Sequence, residues 1–206
     1  MPSASGDFEA VVAALRAGKP VIVPTDTLYG VGVSPLHAPS PAVLYEIKGR
    51  PSDKPVAWLV RSEGDIDVYG ADVPEYARRL VQAFWPGALT IIVRASDAVP
   101  RPYQSQAGTI GLRMPDDELT RAIATEVGCP LAVTSANLSG QPDPHRFEEI
   151  DSLLMTRVAA AIDDSRQKSG IGSTVLDCTG PTYRILREGS IKNSDIAAAL
   201  TPVSST

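Results

Sequence analysis

The order of the apolar segments constrains the fold of this chain more than any other feature of its sequence. In the earlier part of the chain, segments with helical spacing alternate with short apolar runs that have the length of strands. Toward the end of the chain, the strand-like runs follow one another closely. Alternation favours an α/β topology, and crowded strands favour antiparallel pairing. The sequence therefore predicts an α/β fold with a mixed sheet rather than an all-parallel one.

Capping and turn residues mark the ends of the predicted elements. Gly18, Gly49 and Gly128 each end a helix, and Ser40-Pro41 supplies the N-cap and the first residue of another. Helices are predicted at 8–15, 41–48, 74–85, 116–127, 146–154 and 193–200. Strands are predicted at 21–23, 56–60, 88–93, 109–113, 130–134, 158–162, 173–178 and 183–187.

Length and composition indicate one globular domain over 1–206, with a core at about 8–200 and short frayed termini. Only 5% of the residues are aromatic, so Val, Ile, Leu and Ala must fill the core. The net charge of −5 argues against a broad nonspecific nucleic-acid surface, although it allows a local basic pocket. No apolar run has the length of a membrane span and no leader pattern is visible, which predicts a cytoplasmic protein.

The two cysteines, Cys129 and Cys178, each lie beside an apolar run and form no CxxC pattern. We therefore expect two buried thiols rather than a metal or redox site. His37 and His145 have no second metal-ligating candidate nearby in the sequence, so no metal site is predicted.

Two loops carry residue types that suit a polar ligand. The first, 24–30 (PTDTLYG), leaves a buried strand with hydroxyl and glycine residues, although Thr and Asp also form ordinary turns. The second, 48–55 (KGRPSDKP), brings Lys48, Arg50 and Lys54 together in a loop stiffened by glycine and proline. Such an accessible loop can direct cations at phosphate oxygens. The alternative is a solvated charge run that complements the preceding helix dipole.

Three further features could contribute to the same site. Residues 134–140 (TSANLSG) follow a strand and could bind phosphate or a base edge, or form an Asx turn. Ser and Thr occur again in 172–175, and Arg184 and Arg187 differ in strand parity, so one is expected to face the site and the other solvent. Arg113 ends an apolar strand, where it could bind a carboxylate or anchor a loop.

The chemistry that these residue types favour is electrostatic. No Ser/His/Asp set has the spacing expected for nucleophilic catalysis, and the chain has neither a GxxxxGK[ST] nor a GxGxxG motif. The inventory of hydroxyls, amides and cations suits an anionic ligand that is held in place and stabilised by charge.

Taken together, the motifs resemble one family, the YrdC-like threonylcarbamoyl-AMP synthases, in their short single-domain form. They occur in the order PTDTLYG, KGRPSDKP, TIGLRMP, TSANLSG, GSTVLD and ILREG. The resemblance covers about residues 8–200 and implies a twisted mixed sheet around a large, positively lined cavity. It also implies a nucleotidyltransferase that condenses L-threonine, bicarbonate and ATP to threonylcarbamoyl-AMP and pyrophosphate. The product would serve N6-threonylcarbamoyladenosine formation at adenosine 37 of tRNAs that read codons beginning with A.

The resemblance also assigns roles to individual residues. Lys48 and Arg50 would be catalytic. The ATP-binding residues would be Lys48, Arg50, Lys54, Thr109, Ser135, Asn137, Asp143 and Arg187. The threonine-binding residues would be Thr27, Arg113, Ser173 and the backbone around Val133. Gly172 stands where many relatives have a larger or acidic residue, which leaves its local backbone open.

The implied cofactors and partners are few. ATP would enter as a substrate with Mg²⁺, and no tightly bound cofactor is expected. A transient contact with the tRNA threonylcarbamoyl-transferase complex, weak or no direct tRNA binding, no membrane, and a monomer or homodimer complete the expectations. The alternatives are a carbamoyl-phosphate enzyme, usually part of a longer multidomain chain, a module that binds structured RNA, and a nucleotide-binding protein without catalysis.

Overall fold

The computed structural model of the chain describes residues 4–49 and 56–201. Its α-helices within these ranges are α1 (Ala4–Arg16), α2 (Ala42–Lys48), α3 (Asp65–Tyr69), α4 (Glu75–Phe84), α5 (Glu118–Val127), α6 (Ser152–Met155) and α7 (Asn193–Leu200). Short 3₁₀ turns occur at Arg101–Tyr103 and Phe147–Glu149. In the described part of the chain, no helix has the length and apolar character needed to cross a membrane.

Ten strands in the described ranges form one sheet. They are β1 (Val21–Val23), β2 (Gly30–Val33), β3 (Ala57–Leu59), β4 (Gly70–Ala71), β5 (Leu89–Ala95), β6 (Thr109–Arg113), β7 (Leu131–Ser135), β8 (Ala160–Ala161), β9 (Thr174–Asp177) and β10 (Arg184–Arg187). The strand order is β10-β9-β5-β6-β3-β7-β2-β1-β8, and β4 pairs with β5 outside this path. Strands β1/β8, β3/β6 and β5/β9 pair in parallel, whereas the other pairs are antiparallel. The predicted mixed sheet flanked by helices is confirmed.

One face of the sheet is covered by the larger apolar cluster. Its strand residues include Val31, Trp58, Ile91, Ile110, Leu112 and Leu176, and its helix residues include Leu44, Ala77, Leu80 and Ile196. Helices α2, α4 and α7 therefore pack on this face. Because side chains alternate along a strand, Thr109, Gly111 and Arg113 of β6 face the opposite side.

The second face is covered only in part. Helices α1 and α5 pack there against β1, β3 and β7, through residues such as Val11, Leu15, Ile123, Val23, Leu59 and Leu131. Among the described residues, strands β5, β6, β9 and β10 contribute nothing to this second cluster. Half of one sheet face is thus left for a site.

Local sequence explains how helices α2 and α5 begin and end. Asp117 caps α5 by accepting a hydrogen bond from the amide of Thr120 at 2.9 Å, and Gly128 ends the helix in the left-handed conformation with φ of 88°. Gly49 ends α2 with φ of 58°, as predicted. Pro41 is the N-cap of α2 rather than its first residue, so that helix starts one position later than expected.

The structure also corrects several sequence-based expectations. Strand β2 is not predicted, because Gly30 and Gly32 have low β-propensity and the segment has the composition of a loop end. The short elements α3 and β4 are not predicted either. The predicted helix at 146–154 is a 3₁₀ turn followed by the four-residue α6. The buried thiols of Cys129 and Cys178 are confirmed.

Candidate functional site

A cavity of about 440 Å³ lies over the uncovered half of the sheet. This volume is within the range of small-molecule sites, roughly 300–1,000 Å³. Small residues, Gly30, Ala57 and Gly111, line it from the centre of the sheet and leave it deep. The cavity is also lined by eight of the residues singled out from the sequence: Thr27, Thr109, Arg113, Val133, Ser135, Asp143, Ser173 and Arg187.

Arg113 defines one end of the cavity. It is buried at the end of β6, where Nη2 donates to Asp26 Oδ1 at 2.5 Å, Nη1 to Thr27 Oγ1 at 2.9 Å, and Nε to the carbonyl of Gly87 at 2.9 Å. Burial lowers the pKa of this guanidinium, and the carboxylate of Asp26 opposes that shift. Arginine remains charged in proteins, and two of its five N–H groups are left over from these three bonds.

The loop that contains Thr27 is held in a fixed shape by its own turn. Thr25 Oγ1 donates to the carbonyl of Leu28 at 2.7 Å, accepts from the amide of Thr27 at 3.2 Å, and lies 3.0 Å from Thr27 Oγ1. Since both threonines are buried, these bonds fix the direction of the Thr27 hydroxyl. The turn formed by the Thr and Asp residues and the loop that lines the cavity are therefore one and the same segment.

A second segment, 163–170, packs against this loop and is hydrogen-bonded to it. The amides of Ser169 and Gly170 donate to the carbonyls of Asp26 at 3.3 Å and Thr27 at 3.1 Å. The hydroxyl of Tyr29 reaches the carboxylates of Asp163 at 2.8 Å and Asp164 at 3.0 Å. Burial, followed by these two hydrogen bonds, raises the pKa of Tyr29 far above its ordinary value, so the hydroxyl remains a donor.

The buried ammonium of Lys168 stabilises the contact between the two segments. Its Nζ lies 2.5 Å from Asp164 Oδ2, 3.8 Å from Asp117 Oδ2 and 5.0 Å from the centre of the Tyr29 ring. Burial raises the pKa of Asp117, and the charge of Lys168 acts in the opposite direction. The segment therefore ties the loop at 24–29 to the first turn of α5.

Lys48 joins the end of α2 to the loop at 135–137. Its side chain is buried, and Nζ donates to the carbonyl of Ser135, to the carbonyl of Asn137 at 2.6 Å and to Asn137 Oδ1 at 2.7 Å. Ser135 Oγ donates to the same Oδ1 at 2.6 Å, and Asn137 Nδ2 donates to the carbonyl of Gln141 at 2.6 Å. The expectation that Lys48 lies on an accessible loop was wrong, because its ammonium is turned inward onto this loop.

Thr109 lies at the other end of β6 from Arg113. Thr109 starts β6, four residues before Arg113, which is about 13 Å along a strand. Its Oγ1 lies 2.7 Å from Ser105 Oγ. Asp143 lines the cavity from an exposed position. The cavity thus extends along β6, from Arg113 at one end of the strand to Thr109 at the other.

Ser173 and Arg187 lie together in the cavity wall. Arg187 Nε donates to the carbonyl of Ser173 at 3.1 Å, and Nη2 donates to its hydroxyl at 3.2 Å. Gly172 lies beside the guanidinium, where a Cβ would be in ordinary van der Waals contact at 3.5 Å from Nη2.

Arg184 is exposed and pairs with Asp177 at 2.9 Å, whereas Arg187 lines the cavity. Arg187 is exposed as well, so the two arginines differ only in that Arg187 lines the cavity, and the parity argument for one facing solvent was wrong. A register shift in β10 places Arg184 opposite Asp177 and Arg187 opposite Val175. Those two partners have the same parity, so the arginines share a face and differ in their position along the strand.

The charges at this end favour an anion. Arg113 and Arg187 are close enough that the second lowers the pKa of the first, and the carboxylate of Asp26 is bonded to Arg113. Within residues 4–49 and 56–201, no group of three or more His, Cys, Asp or Glu side chains is arranged to hold a metal ion. Arg50 and Lys54, the other predicted cations, lie outside the described residues.

Sequence reasoning missed three residues that shape this site. Asp26 is indicated by the sequence only as part of a turn, yet it orients Arg113. Thr90 interrupts the apolar run of β5, and that polar position is the signal that could have identified it. Lys168 has no such signal, because a lysine in a polar loop is normally exposed.

Comparison with known proteins gives consistent results along the chain. A family model named for Sua5, YciO and YrdC and described as "Telomere recombination" matches residues 13–189. A protein of Mycobacterium tuberculosis is 40% identical over 189 residues, which are 92% of this chain and 87% of that protein. The threonylcarbamoyl-AMP synthase of Bacillus subtilis is 36% identical over 192 residues, 93% of this chain and 56% of that protein.

The solved structures agree with these sequence relatives. The crystal structure of P. abyssi Sua5 complexed with L-threonine has a TM-score of 0.89 and 30% identity to this chain. The match covers 97% of this chain and 58% of that one. This chain therefore spans somewhat more than half the length of the P. abyssi and B. subtilis proteins.

Proposed function

Because the chain belongs to the family of Sua5, YciO and YrdC, we propose that it is a threonylcarbamoyl-AMP synthase. It condenses L-threonine, bicarbonate and ATP to threonylcarbamoyl-AMP and pyrophosphate. The observation that carries this proposal is one cavity with a buried arginine at one end and the loop braced by Lys48 along its wall.

The end of the cavity at Arg113 suits the amino acid. Two guanidinium N–H groups remain for a carboxylate after the bonds to Asp26, Thr27 and Gly87. The Thr27 hydroxyl lies 2.9 Å from the same guanidinium and lines the cavity. Val133 and Ser173 line the cavity as well, so we assign this end to threonine.

The nucleotide is assigned to the side formed by Thr109, Ser135 and Asp143, with Arg187 between the two ends. Asn137 supports this side by accepting a hydrogen bond from Ser135, and we propose that it too contributes to nucleotide binding. Lys48 braces this side from behind, through Ser135 and Asn137. Arg50 and Lys54 follow Lys48 by two and six positions in the sequence, and we propose that they bind the triphosphate. Mg²⁺ enters with ATP as part of that substrate.

The chemistry requires orientation and charge stabilisation more than a nucleophilic side chain. The threonine nitrogen forms a carbamate, a carbamate oxygen attacks the α-phosphorus, and pyrophosphate leaves. In transfers of this kind, positioning and electrostatics supply most of the acceleration. The guanidinium groups of Arg113 and Arg187 are suited to that role because both line the cavity.

The product serves tRNA modification in this proposal. A separate transferase complex would move the threonylcarbamoyl group to adenosine 37, with at most a transient contact with this protein. The single domain over 1–206, the cytoplasmic location, and the monomeric or homodimeric state remain predictions from the sequence.

Pyrophosphate release tests the proposed function. Purified protein should release pyrophosphate when ATP, threonine and bicarbonate are all present, and omission of any one of them should reduce release to background. Release that continues at the full rate without threonine would contradict the assignment. Serine should be a poorer substrate by a modest factor, since one methyl group is worth roughly 1–3 kcal/mol.

A further inference from the structure

Two buried hydroxyl groups lie in the cavity wall where the threonine end meets Arg187. Thr90 Oγ1 and Ser173 Oγ are 2.8 Å apart, and each residue is 5% exposed while lining the cavity. Ser173 Oγ also accepts a hydrogen bond from Arg187 Nη2. We call these three residues the Thr90–Ser173–Arg187 cluster.

The cluster has one hydroxyl proton more than its internal bonds use. Each hydroxyl has one proton to donate and two lone pairs. The bond between Thr90 and Ser173 uses one proton, whichever residue donates it. The second proton is therefore available to an acceptor in the cavity. Buried donors are nearly always satisfied, which makes this position one that calls for an acceptor.

Arg187 adds further donors beside this proton. Two of its five N–H groups are used in the bonds to Ser173, so three remain. In the part of the chain that the structure describes, no carboxylate lies within ion-pair distance of Arg187, whereas Arg113 has Asp26. Gly172 keeps the space beside the guanidinium clear of a side chain.

We propose that the Thr90–Ser173–Arg187 cluster binds bicarbonate and then holds the carbamate oxygen as the carbon–nitrogen bond forms, a role that rests on the proposed function. The cluster offers donors and positive charge, the complement of a small oxyanion. Its position is where Ser173, assigned to threonine, contacts Arg187, assigned to the nucleotide. The one-carbon group that joins threonine to the α-phosphate must lie at such a junction.

The step is balanced without another reactant. The neutral amine of threonine attacks the carbon of bicarbonate, the carbon–hydroxyl bond breaks, and the departing hydroxide takes a proton from the amine to form water. The resulting carbamate keeps two oxygens and one negative charge. One oxygen stays with the donors of the cluster, while the other attacks the α-phosphorus and expels pyrophosphate. Positioned donors stabilise the charge that develops on the oxygens.

The test is a comparison of Michaelis constants in the pyrophosphate-release assay, with buffers depleted of dissolved carbon dioxide. Thr90→Val removes one hydroxyl and keeps the shape of the side chain. We expect its KM for bicarbonate to rise roughly 10-fold to 100-fold, the factor for a lost hydrogen bond to a charged group. The KM values for threonine and ATP should remain within about twofold, and Thr90→Ser should restore the KM for bicarbonate.

Thr120→Val is the matched control, because it removes another buried threonine hydroxyl, bonded at 2.6 Å to the carbonyl of Pro24. We expect it to lower stability without a selective rise in the KM for bicarbonate. If Thr90→Val does not fold, the pair Thr90→Ala and Thr90→Ser replaces it.

Two outcomes would overturn the bicarbonate site. In the first, Thr90→Val raises the KM for ATP instead, which would make the cluster a phosphate site. In the second, all three KM values stay unchanged or rise together. The wild-type protein distinguishes failure of the bicarbonate site from failure of the proposed function. If the wild-type protein shows no threonine-dependent release of pyrophosphate, the proposed function is wrong, and the bicarbonate site is wrong with it.

Discussion

Replacement of Lys48 tests whether the residue is a brace for the loop at 135–137. The change Lys48→Met keeps the length of the side chain but removes the ammonium that bonds the Ser135 carbonyl and two oxygens of Asn137. Each hydrogen bond to a charged group is worth about 1.5–3 kcal/mol, so three are worth roughly 5–9 kcal/mol. Recovered desolvation of the buried ammonium offsets several kcal/mol of this. We expect a net loss of about 2 kcal/mol in the free energy of unfolding.

Urea denaturation measures this loss. For a slope near about 2 kcal/mol per M, the unfolding midpoint should fall by roughly 1 M. The KM for ATP should also rise, by about tenfold or more, because Ser135 and Asn137 lose their common anchor. Lys19→Met is the matched control, since Lys19 is exposed, and it should change neither quantity.

A different result would indicate that Lys48 binds the phosphates of ATP, as the sequence predicts. If Lys48→Met keeps the wild-type midpoint and the wild-type KM for ATP but loses turnover, the ammonium acts on the reacting phosphates rather than on the loop. That outcome would refute the role of Lys48 as a brace.

Further predictions concern the sheet, the buried thiol and the threonine end. In Gly32→Ala, the new Cβ would lie 2.6 Å from Val133 Cγ2, so overpacking should cost about 1–3 kcal/mol of stability and lower the thermal midpoint. Gly180→Ala is the control, because its Cβ would lie 3.6 Å from the nearest atom and should shift the midpoint little. Equal shifts in the two variants would contradict the packing argument. Burial raises the pKa of Cys178 to about 12. The protonated thiol therefore contributes stability below the ordinary thiol pKa, and this contribution is lost as the pH rises from about 9 toward 12. In urea titrations at alkaline pH, Cys178→Ala should reduce the decline of the unfolding free energy with pH, and an unchanged decline would contradict the prediction. Arg113→Lys keeps the charge but not the planar fork, so the KM for threonine should rise by at least about tenfold while the KM for ATP changes little; equal effects on both would remove Arg113 from the threonine end.

Much of the fold could be predicted because apolar periodicity and caps agree with it. The predicted strand at 109–113 coincides with β6, and the predicted helix at 193–200 coincides with α7. Strand β2 could not be found in this way. Its glycines are there because Val133 of the neighbouring strand occupies the space that their side chains would fill, which is a tertiary property.

The candidate site was predictable where motifs supply both the residue and its chemistry. The sequence indicated Arg113, Thr27 and Ser173, and all three line the cavity. Side-chain direction was less accessible to prediction. The contact of Lys48 with Asn137 could not be predicted, since a lysine on the last turn of a helix can point either way, and the predicted role of Lys48 at the phosphates stays a prediction.

Supporting residues were the least visible in the sequence. Asp26 and Lys168 act through contacts to residues that are distant along the chain, Arg113 in one case and Asp117 in the other. Neither contact follows from local spacing. The β10 register shift is of the same kind, because it depends on how the strand pairs with β9.

The most direct test of the central claim is identification of the product. The protein is incubated with ATP, L-threonine and ¹³C-bicarbonate, and the nucleotides are separated and analysed by mass spectrometry. We expect an adenylate that contains both threonine and the ¹³C label, formed in equal amount to pyrophosphate. Pyrophosphate without such an adenylate, or a threonine adduct that lacks the label, would contradict the proposed synthesis of threonylcarbamoyl-AMP.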